Sequence, residues 1–223
     1  MMPWPMPRAD ARHFVAGLTL LLSAAIGLDA QQSYPTAWDP ALLNRPDIRA
    51  ALAHLEQGMP KQVEEWIHIA QMPGQPGFEQ ERGAYVKAEM EKAGLRVSVD
   101  SMGNVTGVRA GTGGGPTIVF AAHMDIVFPK ETDTRVRRDG DTLRAPGVFD
   151  NSASVANMLA TIRALNAARI RTKGDLVFVG TVQEEVGLRG MAYWLANNPR
   201  PDLLIAMDGG LGPISYGALG IYW

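Results

Sequence analysis

The chain has 223 residues, 46% of them apolar, and a formal net charge of −2. That length and composition suit one α/β domain with a substantial core, and the slight acidic balance argues against a nucleic-acid partner, which normally leaves a basic surplus. There is no cysteine, which removes disulfides, thiolate metal sites and a cysteine nucleophile together, so any metal must be held by nitrogen and oxygen.

Residues 1–30 read as a secretory signal peptide: Arg8, Arg12 and His13 precede an apolar run from Phe14 to about Leu28, and Ala30 offers a small residue for cleavage. The apolar run is short for a membrane span of about 20 residues, which sets a retained anchor behind cleavage. The expected mature protein starts near Gln31, is secreted or periplasmic, and keeps no stable membrane span. After a polar, proline-bearing lead-in to Pro46, Ile48 to Leu55 and Lys61 to Ala70 read as two helices. The stretch 71–77 is a turn-rich break. Phe78 to Ala93 is an amphipathic helix with Tyr85, Val86 and Met90 inward, stopped by Gly94. His54 and His68 lie in these helices without acidic neighbours at ligand spacing and read as ordinary helix residues.

Strands are expected at Leu95 to Val99 and Asn104 to Arg109, joined through the glycine-rich stretch 111–116 to a third. A strand follows those glycines and no Lys-Ser or Lys-Thr does, so they form a turn and not a phosphate cradle. Thr117 to Phe120 and Leu176 to Val179 are apolar on both faces, as buried central strands are. Between them come a hairpin around Asp139-Gly140-Asp141 and a helix from Ser152 to Ala167 with Val155, Met158, Leu159 and Ile162 on one face. Met191 to Asn197 is a short helix and Leu203 to Met207 a further central strand. Strands alternating with helices give a three-layer α/β architecture without internal repeats.

The chemistry gathers where strands end. His123 and Asp125 follow one strand, Glu184 and Glu185 another, and Asp208 a third, while Asp150 stands before the long helix. Open α/β sheets place their sites outside the carboxyl ends of strands. In an extended His123-Met124-Asp125 segment both polar side chains point to one side, so Asp125 can orient His123 as a carboxylate behind a metal ligand. Each signal has a plainer alternative: a polar loop for His123 and Asp125, and helix N-capping for Asp150.

The order His-x-Asp, Gly-x-x-Asp-Asn, Glu-Glu-x-Gly-x-x-Gly and Asp-Gly-Gly resembles the co-catalytic dizinc exopeptidases and amidohydrolases, among them carboxypeptidase G, peptidase T, the aminoacylases and the desuccinylases. The resemblance runs from about Lys61 to the last residue. It implies a zinc-exopeptidase-like fold with a mixed, mostly parallel central sheet, incomplete at the C-terminus. By the same resemblance Asp150 bridges two zinc ions, His123 and Asp208 complete one, and Glu185 belongs to the other. Glu184 is then the general base, Asp125 orients His123, and a cis peptide joins Asp150 to Asn151. The implied reaction is hydrolysis of a peptide or N-acyl amino-acid amide bond.

In the resembled family a lid or dimerisation domain follows the Asp-Gly-Gly strand. Residues 31–213 then correspond to the first part of the catalytic domain and residues 214–223 to the first strand of the lid. The lid, the later catalytic strands and the final histidine ligand of the second zinc are expected beyond Trp223, and a homodimer is expected only with the lid. Two other readings stay open: a dizinc aminopeptidase without a lid, and a catalytically inactive metal-binding fragment.

Overall fold

The computed structural model describes residues 39–209, so the leader at 1–30 and the strand at 214–223 lie outside the described residues. A 3-10 turn at Pro40–Asn44 leads into helix α1 (Pro46–Gln71) and then α2 (Gln80–Lys92). Strands β1 (Arg96–Val99), β2 (Val105–Arg109) and β3 (Ile118–His123) follow, and then a hairpin of β4 (Arg137–Asp139) and β5 (Thr142–Arg144). Helix α3 (Ser152–Ala167), β6 (Leu176–Thr181), α4 (Arg189–Asn197) and β7 (Leu203–Ala206) complete the order.

The main sheet runs β1-β2-β6-β3-β7. Its pairings divide evenly: β3 is parallel to both β6 and β7, while β1 with β2 and β2 with β6 are antiparallel. The sheet is therefore mixed, with a parallel half made of the three strands read as central. Register decides what this half can do. Ile118 sits opposite Leu176 and His123 opposite Thr181, and Ala121 lies beside Ala206 on the other flank. The carboxyl ends of β3, β6 and β7 thus open side by side, and the residues just after each strand share one edge.

Alternation along these strands sends side chains to two layers. Phe178, Leu176 and Ala122, with Ile118 and Phe120, pack with Val86 and Met90 of α2 and with Val155, Met158, Leu159 and Ile162 of α3. Val119, Val177 and Val179 face the other way, onto Trp194 and Met191 of α4. Phe120 and Phe178 stack at 5.3 Å between ring centroids, adding an aromatic contact to the burial. Trp194 spends its one donor on Thr106 Oγ1 at 2.9 Å, so its burial leaves no orphaned N–H.

The two helices expected at 48–55 and 61–70 are one, with Pro60 inside it. A proline in a helix interior removes a hydrogen bond and costs about 3 kcal/mol. Packing outweighs that cost here. Helix α1 lies along α3, its last turn buries Ile69 and Ala70 completely, and its Trp66 indole donates to the Val148 carbonyl. The Gln62 side-chain amide also donates to Leu55 O at 3.2 Å across the proline turn.

Candidate metal centre

His123 is the last residue of β3 and is almost fully buried. Its Nδ1 lies 3.1 Å from the Asp125 carbonyl oxygen and 3.4 Å from Asp125 Oδ1. That environment favours a proton on Nδ1 and leaves Nε2 free to face the strand edge. Around Nε2 stand Asp150 Oδ1 at 3.0 Å, Asp208 Oδ2 at 3.8 Å and Glu184 Oε2 at 3.9 Å. One ligand atom each from His123, Asp150 and Glu185 falls within 4.8 Å of the others, a spacing that one metal ion can span. The edge therefore collects His123, Asp150, Glu184, Glu185 and Asp208, with Asp125 beneath them.

Two buried atoms carry the fit to a cation. His123 Nε2 and Glu185 Oε1 are shielded from solvent and have no hydrogen-bond partner. The approach of Nε2 to Asp150 is short, but it lacks hydrogen-bond geometry. Orphaned buried polar atoms cost about 1–3 kcal/mol each, and a divalent cation held by nitrogen and oxygen donors would satisfy both at once.

The charges tell the same story. Burial pushes the His123 pKa down, yet the Asp125 contact and the negative charges of Glu184, Asp125 and Asp208 outweigh it and hold the ring at about 9. Without a cation, the acidic surroundings keep a proton on the imidazole. Burial raises the pKa of Glu184, with Asp208, Asp125 and Asp150 adding to it against the pull of His123. Glu185 is raised as well, by burial and then by Asp150.

Asp125 behaves oppositely. Burial would raise its pKa, but His123 and the backbone amides of Glu184 and Glu185 hold it below the usual carboxylate range. Both of its oxygens accept from those amides, Oδ1 from Glu184 N and Oδ2 from Glu185 N, each at 3.0 Å. The expectation that Asp125 orients His123 thus meets a residue that also ties the end of β3 to the turn after β6.

That turn is tightly specified. Gln183 and Leu188 both adopt the left-handed region, with φ of 53° and 57°, and bracket the Glu184-Glu185 pair. At Gly190 an added Cβ would come within 2.2 Å of the Val182 carbonyl oxygen and 2.5 Å of Asn104 Oδ1, so no larger residue fits. Asn104, fully buried, donates to Gly190 O at 2.9 Å and accepts from Val182 N at 3.1 Å. Across the site the Asp150-Asn151 peptide is cis, and Asn151 donates to Met207 O at 2.9 Å, linking the Asp150 turn to the strand that precedes Asp208.

A deeper shell carries no sequence signal. Arg82 is fully buried without a carboxylate bonded to it: Nη1 donates to Met124 O at 2.9 Å, and Nη2 to Met72 O at 3.1 Å. Burial lowers its pKa to about 10, opposed by the charges of Asp125 and Glu79. Buried Glu79 accepts from Gln183 N at 3.0 Å. In the linear chain these two are ordinary charged residues at the start of a helix. Only the tertiary structure brings them under the residues flanking His123 and Glu184.

A buried histidine and several acids at the carboxyl ends of parallel strands, in a sheet covered on both faces, make a candidate metal centre on an α/β fold with a mixed central sheet. Residues 119–221 match the model of peptidase family M20/M25/M40. The chain is 29% identical over 161 residues to a LysW-lysine hydrolase of Deinococcus radiodurans, covering 72% of this chain and 40% of that protein. It is 25% identical over 138 residues to carboxypeptidase G2 of a Pseudomonas species, covering 58% of this chain and 33% of the relative. Aminopeptidase PepT of Bacillus cereus superposes with a TM-score of 0.58 at 26% identity over 66% of this chain and 43% of its own. Human carnosine dipeptidase 1 shares the fold, with a TM-score of 0.59 at 17% identity over 72% of this chain and 41% of its own. Over residues 119–221, then, the chain is similar to peptidase family M20/M25/M40. It spans between a third and two-fifths of the length of these two curated relatives.

Proposed function

We propose that this chain contributes the metal centre of a hydrolase that cleaves a peptide or N-acyl amino-acid amide bond. The observation that carries the reading is the pair of unpartnered buried atoms, His123 Nε2 and Glu185 Oε1, beside Asp150 and within reach of a further carboxylate, Glu184. The names of the relatives, a hydrolase, a carboxypeptidase and an aminopeptidase, support the same class of bond.

His123, Asp150, Glu185 and Asp208 would hold zinc, whose tetrahedral preference and borderline softness suit imidazole with carboxylates. Bound there, the metal would supply a water acidified toward about pH 7 and a Lewis acid for the substrate carbonyl. Glu184 has the other role. Its carboxyl is partly exposed and its pKa is raised by burial and acidic neighbours, which suits a base that takes a proton and then returns it to the leaving nitrogen. Asp125 is a positioning residue, holding the ring of His123 and the peptide planes of Glu184 and Glu185 together.

A two-ion arrangement, with Asp150 shared, His123 and Asp208 on one ion and Glu185 on the other, is the proposed division of ligands. Two zinc ions per chain support it, and one or none favours a metal-binding segment without activity of its own. Glu184→Gln separates base from ligand: zinc content should persist while hydrolysis of dipeptides and N-acyl amino acids falls below detection. Full activity in that variant removes the base assignment. The leader-like pattern at 1–30 supports a secreted or periplasmic protein, and N-terminal sequencing of exported material should read from near Gln31. Among the described residues, no helix is long and apolar enough to cross a membrane.

A further inference from the structure

The start of helix α2 is hydrogen-bonded to both strand-end segments that carry candidate ligands. Glu79, at the N-cap position, and Arg82, three positions on, are both buried, and residues at that spacing share one helix face. An acid at an N-cap ordinarily accepts from the amides of its own first turn. Glu79 makes no such bond; its Oε1 accepts instead from Gln183 N at 3.0 Å, 104 positions away. Arg82 Nη1 donates to Met124 O at 2.9 Å. Gln183 is the residue before Glu184, and Met124 stands between His123 and Asp125.

The other donors of Arg82 serve the fold: Nη2 and Nε donate to Met72 O at 3.1 and 3.3 Å, just past the end of α1. A planar guanidinium with five donors can close that helix end and still spend one on Met124. Two backbone bonds narrow the play of the His123 segment further, Met124 N to Thr181 O and Ile126 N to Gly74 O, each at 2.7 Å. An added Cβ at Gly74 would fall 2.6 Å from Arg82 Cζ, so the stretch that receives Ile126 also lies against the guanidinium. On the other segment, Gln183 has a left-handed φ of 53°, a conformation that persists only where the surroundings fix it. The bond to Glu79 is one such fixture.

We propose that Glu79 and Arg82 are positioning residues that act as one strut: from a single helix turn they set the separation between His123 and the Glu184-Glu185 pair. The inference rests on the metal-centre reading above and extends it to two buried residues outside the ligand set. Asp125 ties the two segments to each other. Glu79 and Arg82 tie both to a helix, which gives that separation a rigid reference. Ligand atoms within 4.8 Å of one another, around an ion whose bonds are about 2.0–2.2 Å long, leave little room for a shift of either segment.

The test measures, in the full chain, zinc affinity by chelator competition and the visible absorption of bound cobalt(II). Glu79→Ala and Arg82→Met should each weaken zinc binding about 10-fold, the low end of the range of about 10- to 100-fold for groups behind ligands, and should change the cobalt(II) spectrum. Glu79→Gln keeps an acceptor for Gln183 N and should match the wild type in both. Arg163→Met, which removes a guanidinium bonded to Glu65 and Glu89 on the other two helices, should also leave both unchanged. Wild-type affinity and spectrum in Glu79→Ala overturn the inference. So does an equal loss in Glu79→Gln or in Arg163→Met, where charge or stability alone would be the cause. If Arg82→Met does not fold, the two Glu79 variants decide the question. A wild-type chain that binds neither zinc nor cobalt(II) sinks the metal-centre reading and this inference with it, whereas bound metal with unresponsive variants sinks the inference alone.

Discussion

Two clusters of partly buried charge among the described residues are built on opposite plans. In one, Arg163 links helices α1, α2 and α3. It donates to Glu65 Oε2 at 2.6 Å, Glu65 Oε1 at 2.7 Å and Glu89 Oε2 at 2.8 Å, while the Tyr85 hydroxyl donates to Glu65 at 2.8 Å and Lys92 pairs with Glu89. Positive and negative groups match, and the pKa of Glu89 is lowered: Lys92 and Arg163 together outweigh its burial. In the other, five carboxylates surround one histidine, Glu184 and Glu185 are raised, and two buried atoms have no partner. A charge cluster that closes on itself is structural. One that leaves an acidic surplus and orphaned donor atoms has the charge and the free atoms to take a cation.

The comparison breaks if the two clusters respond alike. The largest effect belongs to the ligands: His123→Ala should weaken zinc binding by more than the about 10- to 100-fold expected for loss of the carboxylate behind it in Asp125→Asn, as measured by competition with a chromogenic chelator. Equal losses in the two variants would mean that His123 is not a direct ligand. Next comes pH. With the His123 pKa at about 9 in the cation-free protein, a binding metal must displace that proton throughout neutral pH. Zinc affinity should therefore rise about tenfold per unit as pH climbs from 6 to 9 and level off above, with a proton released on binding. A flat profile in calorimetry would count against imidazole ligation. The smallest effect lies in the self-matched cluster. Arg163→Met leaves Glu65 and Glu89 short of donors, and because this group is partly exposed the loss should be about 1–3 kcal/mol in a denaturant titration, with zinc affinity unchanged.

Legibility in the sequence followed the strength of local pattern. Helix α3 occupies the span read for it, Ser152 to Ala167, because its apolar positions repeat with helical period and all four residues read as inward are buried. The cores of β3 and β6 were legible as short apolar β-branched runs, although pairing extends β3 to His123 itself and β6 to Thr181. The two helices read at 48–55 and 61–70 are one, because the packing that carries α1 through Pro60 is not visible in local pattern. Asn151 stood in a quoted motif without a role, since its partner, the Met207 carbonyl, is 56 positions away. Glu79 and Arg82 could not have been found at all, as their acceptors and donors are backbone atoms from distant segments. Residue order can hint at which side chains meet. It says little about which peptide groups they will meet.

The position of Asp125 has a consequence for motion as well as for chemistry. The Glu184 and Glu185 peptide groups lie in a turn with partly exposed side chains, the kind of place where amide hydrogens usually trade with solvent quickly. Here both hydrogens are aimed at a carboxylate with no solvent exposure of its own. The turn can open only by stranding that buried charge, so its two amides should exchange with deuterium as slowly as the core strands, while the rest of the strand-edge loops exchange fast. The site would then have a stiff floor under a pliable rim, able to keep its donor atoms in place while the walls adjust to what enters.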